Sequence, residues 1–119
     1  MGKDGRAADC ELLRAAYRDF NARRMDAVLA RMHSEVEWAN GMEGGHVHGH
    51  EGVRTYWTRQ WAVLDPHVDP VAIKPDDQGR LIVEVHQVVR DMEGKVLVDT
   101  IVHHAYWISD GLIQRMDIE

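Results

Sequence analysis

Residues 80–118 read RLIVEVHQVVRDMEGKVLVDTIVHHAYWISDGLIQRMDI. The stretch Arg80 to Asp91 is rich in Val and Ile, and Met92-Glu93-Gly94 is a turn. Lys95 to Ser109 returns as a long strand. Ser109-Asp110-Gly111 turns again, and Leu112 to Ile118 closes the sheet. Three β segments joined by glycine turns predict an antiparallel meander. Val68 to Lys74, ahead of it, carries Pro70 and is followed by Pro75, so it reads as an edge or irregular strand. Asp76-Asp77-Gln78-Gly79 links the two.

Upstream the period changes from two to 3.6. A first helix is expected from Asp9, a good N-cap, with Leu13, Tyr17 and Phe20 on one face and Asn21 as its stop. Residues 1–8 read as a flexible tail. Met25, Val28, Leu29 and Met32 form the apolar stripe of a short second helix. A strand follows, about Glu35 to Asn40, with Val36, Trp38 and Asn40 sharing a face. Gly41 to Gly49 is glycine-rich and reads as loop. Glu51 to Leu64 is the strongest helical signal: Val53, Tyr56, Trp57, Gln60, Trp61 and Leu64 recur at helical spacing. The fold class is therefore α+β, with helices gathered on one face of a curved antiparallel sheet. A sheet curled around the long amphipathic helix leaves a cone-shaped hollow lined by aromatics.

Composition narrows the partners. The chain has 119 residues, a size for one domain spanning 1–119. With 14 basic and 20 acidic side chains its formal charge is −6, which argues against duplex nucleic acid. No apolar run is long enough for a membrane span, and the first residues lack a secretory pattern, so a cytoplasmic protein is expected. Cys10 is a lone cysteine and forms no internal disulfide. His46, His48 and His50 alternate, but the segment is glycine-rich and no further ligand stands at a defined spacing. No metal and no cofactor are expected.

The stretches LLRAAYRDFNARRMDAVLARMHSEVEW (12–38), GHEGVRTYW (49–57) and HAYWISDGLIQRM (104–116), in this order, resemble the nuclear-transport-factor-2-like superfamily. The likeness is to its branch of SnoaL-like polyketide cyclases and ketosteroid isomerases. It covers about Asp9 to Ile118. It implies a cone-shaped, cystatin-like α+β barrel, a homodimer formed through the sheet, and one pocket per subunit for a small apolar ligand. Fold alone does not settle the reaction.

Ketosteroid isomerases use an Asp base on the first strand, and hold the oxyanion with a Tyr and a protonated Asp. The base position matches Asn40, which cannot accept a proton from carbon at neutral pH. Tyr17 lies one residue from the tyrosine position. The later Asp position falls on His104 or His103, depending on which turn the count starts from. His104 is preferred, because it shares parity with Val102, Tyr106 and Ile108. Limonene-epoxide hydrolases hold a water with a Tyr and an Asn two apart. Trp38 and Asn40 keep that spacing without the Tyr, and no inward Arg–Asp pair completes the set. SnoaL-like cyclases use an acidic residue near the final strand; Asp117 is the nearest candidate, yet alternation points it outward unless a bulge turns it.

Histidine then becomes the proton-handling group, its ordinary pKa suiting acid/base work near neutrality. His86 and His104 face one cavity if the Met92–Gly94 hairpin has the right length. One residue more or less puts Gln87 there instead. The expected catalytic set is His104, His86, Asn40 and Tyr17. Trp38, Tyr56, Trp57, Trp61, Val88 and Met116 are expected to line the ligand. The function this implies is cofactor-free acid/base chemistry on an apolar carbonyl or polyketide-like compound. The alternative is a dimeric module that binds an apolar ligand without chemistry.

Overall fold

The computed structural model describes residues 2–119. Its elements are α1 (Gly2–Asn21), α2 (Met25–Leu29), β1 (Met32–Ala39), β2 (His46–His48), α3 (Gly49–Val63), β3 (Asp65–Pro75), β4 (Leu81–Arg90), β5 (Val96–Ser109) and β6 (Leu112–Ile118). All six strands join one sheet in the order β2-β1-β6-β5-β4-β3. The sheet is curved and not closed, so the barrel has two free edges. It is also mixed: the meander pairs are antiparallel, as expected, but β1 runs parallel to β6.

Helix α1 starts at Gly2, about two turns ahead of Asp9, so residues 2–8 are helical; Met1 lies outside the described residues. Its end also differs from the expected Asn21 stop. The chain turns at Arg23, which has φ 62°, and the Arg23 and Arg24 amides donate back to Phe20 and Asp19 carbonyls. That is a Schellman closure with arginine in the left-handed position. Asn21 instead stitches α1 to the edge strand: its amide donates to the Val68 carbonyl, and its oxygen accepts from the Val68 N–H. Pro70 does sit on the edge, at a register shift between Pro70 and Ala72.

The helices cover the concave face. Leu13 and Tyr17 from α1, and Val53, Tyr56 and Trp57 from α3, are buried against Val83, Val85, Tyr106, Ile113 and Met116. Each such side chain contributes roughly 2 kcal/mol on removal from water. No helix among the described residues is long and apolar enough to cross a membrane.

Register decides which strand residues reach the interior. In the β4–β5 hairpin Val83 faces His104 and Gln87 faces Thr100. The pairing shifts beyond Val89–Val98, where Arg90 meets Val96 and Leu97 becomes the extra residue. Odd residues of β4 therefore point inward together with even residues of β5.

Candidate functional site

Between α1, α3 and the concave sheet lies a cavity of about 260 Å³. Trp38, Phe20, Trp57, Val102 and Met116 give it an apolar waist. The aromatic rings meet edge to face, with Phe20–Trp57 centroids 5.0 Å apart and Trp38–Trp57 centroids 5.3 Å apart, a favourable arrangement of ring quadrupoles. Among the described residues, no Asp, Glu, Lys or Arg lines it.

Three polar side chains meet at one end. The Tyr106 hydroxyl donates to the Tyr17 oxygen at 2.8 Å, and the Tyr17 hydroxyl lies 2.8 Å from His104 Nδ1. Tyr17 is on α1, while His104 and Tyr106 are two apart on β5 and so share a face. With Tyr106 donating to it, Tyr17 sends its own proton to Nδ1. That arrangement puts the neutral imidazole's proton on Nε2, and reversing the two hydroxyl bonds puts it on Nδ1. Burial, helped by the neighbouring His103, lowers the His104 pKa to about 4. Burial likewise raises both tyrosines, Tyr106 despite its bond to Tyr17 and Tyr17 further through Tyr106. All three groups are neutral at pH 7.

Further uncharged polar groups line the cavity. The Tyr56 hydroxyl accepts from the Gly41 N–H at 3.1 Å, and Gln60 Nε2 lies 3.4 Å from it. Burial raises the Tyr56 pKa. Gln87 lines the wall opposite, from β4.

The expected residues divide accordingly. His104 and Tyr17 come together, and Trp38, Tyr56, Trp57 and Met116 line the cavity. His86 does not: the Leu97 bulge turns it to the outer face, where Nε2 is 2.7 Å from Asp99 Oδ1. Val88 shares its parity and also faces out, and Gln87 takes the inward place. Asn40 is lost because β1 ends at Ala39; its oxygen accepts from the Met42 and Glu43 N–H groups and holds the following turn. Trp61 stands behind the wall, stacked on Trp57 at 5.7 Å, with Arg23 over its ring. Tyr106 was read only for its parity, and its hydroxyl is the polar partner sequence reasoning missed. That parity with His104 is the signal that could have found it.

The alternate histidines go three ways. His46 Nε2 is 2.8 Å from Asp117, His48 lies near Glu35 and Glu37, and His50 donates to the Met32 carbonyl. No group of three or more His, Cys, Asp or Glu among the described residues is arranged to hold a metal ion. Asp117 points outward and is gripped by Arg115, whose hydrogen bonds hold its carboxyl below the usual range.

The sequence model of the SnoaL-like domain family matches residues 13–116. Similar solved structures include TerC co-crystallised with polyporic acid (25% identity, 94% of this chain and 90% of that one, TM-score 0.82). Another is a putative polyketide cyclase from Pseudomonas putida (18% identity, 93% and 90%, TM-score 0.80). A third, from Mycobacterium tuberculosis, is in complex with estradiol-17beta-hemisuccinate (16% identity, 93% and 92%, TM-score 0.79). No curated protein matches the chain.

Proposed function

Since the chain belongs to the SnoaL-like domain family, we propose that its cavity takes a neutral, apolar carbonyl or polyketide-like compound and that His104 handles the proton at the ligand's oxygen. The observation that carries this is the Tyr106–Tyr17–His104 chain at one end of a cavity walled by apolar side chains. A charged ligand would lose its hydration there and find no counter-charge. A carbonyl loses little, and Nε2–H offers it a donor.

In the tautomer with a free Nε2 lone pair, that nitrogen takes the α-proton, and the imidazolium so formed returns a proton to the developing enolate oxygen, a contact strengthened by apolar surroundings and a fixed orientation. The Tyr17 hydroxyl can donate to Nδ1 or accept from it. Nε2 accordingly presents a proton in one tautomer and a lone pair in the other. His104 is the cavity group whose two protonation states come nearest to neutrality, since burial drives the tyrosines further away. The ligand complexes of the TerC and mycobacterial structures support a small-molecule role for this hollow.

A second reading, binding without chemistry, is favoured by the low basicity of His104 and by the lack of a carboxylate among the described lining residues. One experiment separates the two. β-Tetralone is titrated while tryptophan fluorescence is followed, and exchange of its α-protons in heavy water is then measured by NMR. Saturable quenching with exchange faster than buffer, lost in His104→Gln, supports the proton-transfer reading. Quenching with exchange at the buffer rate selects the binding module. Absence of quenching refutes both. In either reading the working unit is a homodimer built through the outer sheet face.

A further inference from the structure

Besides the Tyr106–Tyr17–His104 chain, further uncharged polar groups line the cavity. Gln87 is the group that the His104 reading leaves unused. It faces inward from β4 among Val68, Val89 and Val98, and its amide makes no protein hydrogen bond among the described residues. Gln87 is half-buried and its amide stays accessible from the cavity, so a group entering there can take its donor or its acceptor. His104 Nε2 is likewise without a protein partner among the described residues.

The register fixes their separation. Gln87 pairs with Thr100, which lies four residues along β5 from His104. At about 3.3 Å per residue this is about 13 Å along the strand. Both side chains project to the same concave face, with Val102 midway between their levels.

We infer that the ligand is ditopic: an elongated, flat, apolar molecule with an oxygen function at each end, one met by His104 and the other by Gln87. This rests on the His104 reading for the first oxygen and adds the substrate class. The ring edges of Trp38 and Trp57 fit aromatic or fused-ring frameworks, and the neutral lining excludes a carboxylate or phosphate at either end. A primary amide can donate and accept, so Gln87 accommodates a ketone or a hydroxyl. Gln87 is thus a specificity-determining residue that ranks ligands by their far end.

The test is calorimetric titration with two probes, trans-stilbene carrying a para-hydroxyl at each end and trans-stilbene carrying one. Wild-type protein should bind the doubly hydroxylated probe about fivefold tighter, the worth of one neutral hydrogen bond. Gln87→Met keeps the length of the side chain and removes its polar atoms. It should erase that preference while leaving affinity for the singly hydroxylated probe within about twofold. Gln87→Glu, which keeps an acceptor for the far hydroxyl, should retain the preference. Equal wild-type affinity for the two probes, or a preference that survives Gln87→Met, overturns the inference and leaves the apolar-pocket reading standing. Binding of neither probe overturns both.

Discussion

His104 is the residue on which stability and chemistry meet. Its folded pKa of about 4 lies below the ordinary imidazole value, so between about pH 4 and 6.5 the unfolded chain binds the extra proton. The stabilising contribution is complete above about pH 6.5 and is lost as pH falls through that window. It amounts to about 3 kcal/mol in all for this buried ring. Urea unfolding from pH 7 to pH 4.5 should show the decline, and His104→Gln should remove most of the slope whatever it does to the absolute level. An unchanged slope in the variant would assign the acid sensitivity to other groups. Tyr17→Phe strands two buried partners at once, His104 Nδ1 and the Tyr106 hydroxyl. It should cost about 1–3 kcal/mol in the same assay, although it deletes one atom that touches no solvent-facing group.

At the level of elements, the joint between β2 and α3 rests on a glycine in the left-handed region. Gly49 has φ +70°, and a Cβ placed there would lie 3.3 Å from the Ser34 carbonyl oxygen. Gly49→Ala should therefore destabilise by about 1–2 kcal/mol from the left-handed conformation alone, with the close approach adding to it. Gly52, one turn into the helix, is the contrast. Its added Cβ would meet Val47 Cβ at 3.5 Å, an ordinary contact. Gly52→Ala should be neutral or stabilising by up to about 1 kcal/mol. Thermal melts of the two variants side by side check the pair. The same neighbourhood shows why parts of the site were hidden in the sequence. β2 is three residues long, flanked by glycines, and forms only because β1 offers it an edge and His46 reaches Asp117 on β6. Nothing local announces such a strand. His104 was legible because Val102, Tyr106 and Ile108 repeat its parity within one strand. His86 was not, since its direction depends on the extra residue Leu97 in the partner strand, and pairing register is a tertiary property. Asn40 failed for a related reason: the alternation that placed it inward ends one residue too early.

For the whole molecule, the element order and the amphipathic third helix made the fold readable, because periodicity over ten or more residues outweighs single ambiguities. The two sheet faces then have different fates. Helices cover the concave face, while the outer face carries Ile101 at 47% exposure and Trp107 at 38%, set among the His86–Asp99 and His103–Glu84 pairs. Large apolar side chains beside histidine–carboxylate pairs on a broad strand surface suit a self-complementary contact, in which the same patch serves both subunits. If two copies pack sheet to sheet, Ile101 lies within the covered area. Ile101→Glu would then bury a carboxylate on each side, which should raise the dimer dissociation constant by at least about a hundredfold. Sedimentation velocity is the measurement, with far-UV circular dichroism to confirm that the variant keeps its sheet. A wild-type chain that sediments as a monomer across the concentration range refutes the sheet-to-sheet pairing. A variant that stays dimeric moves the contact to another surface.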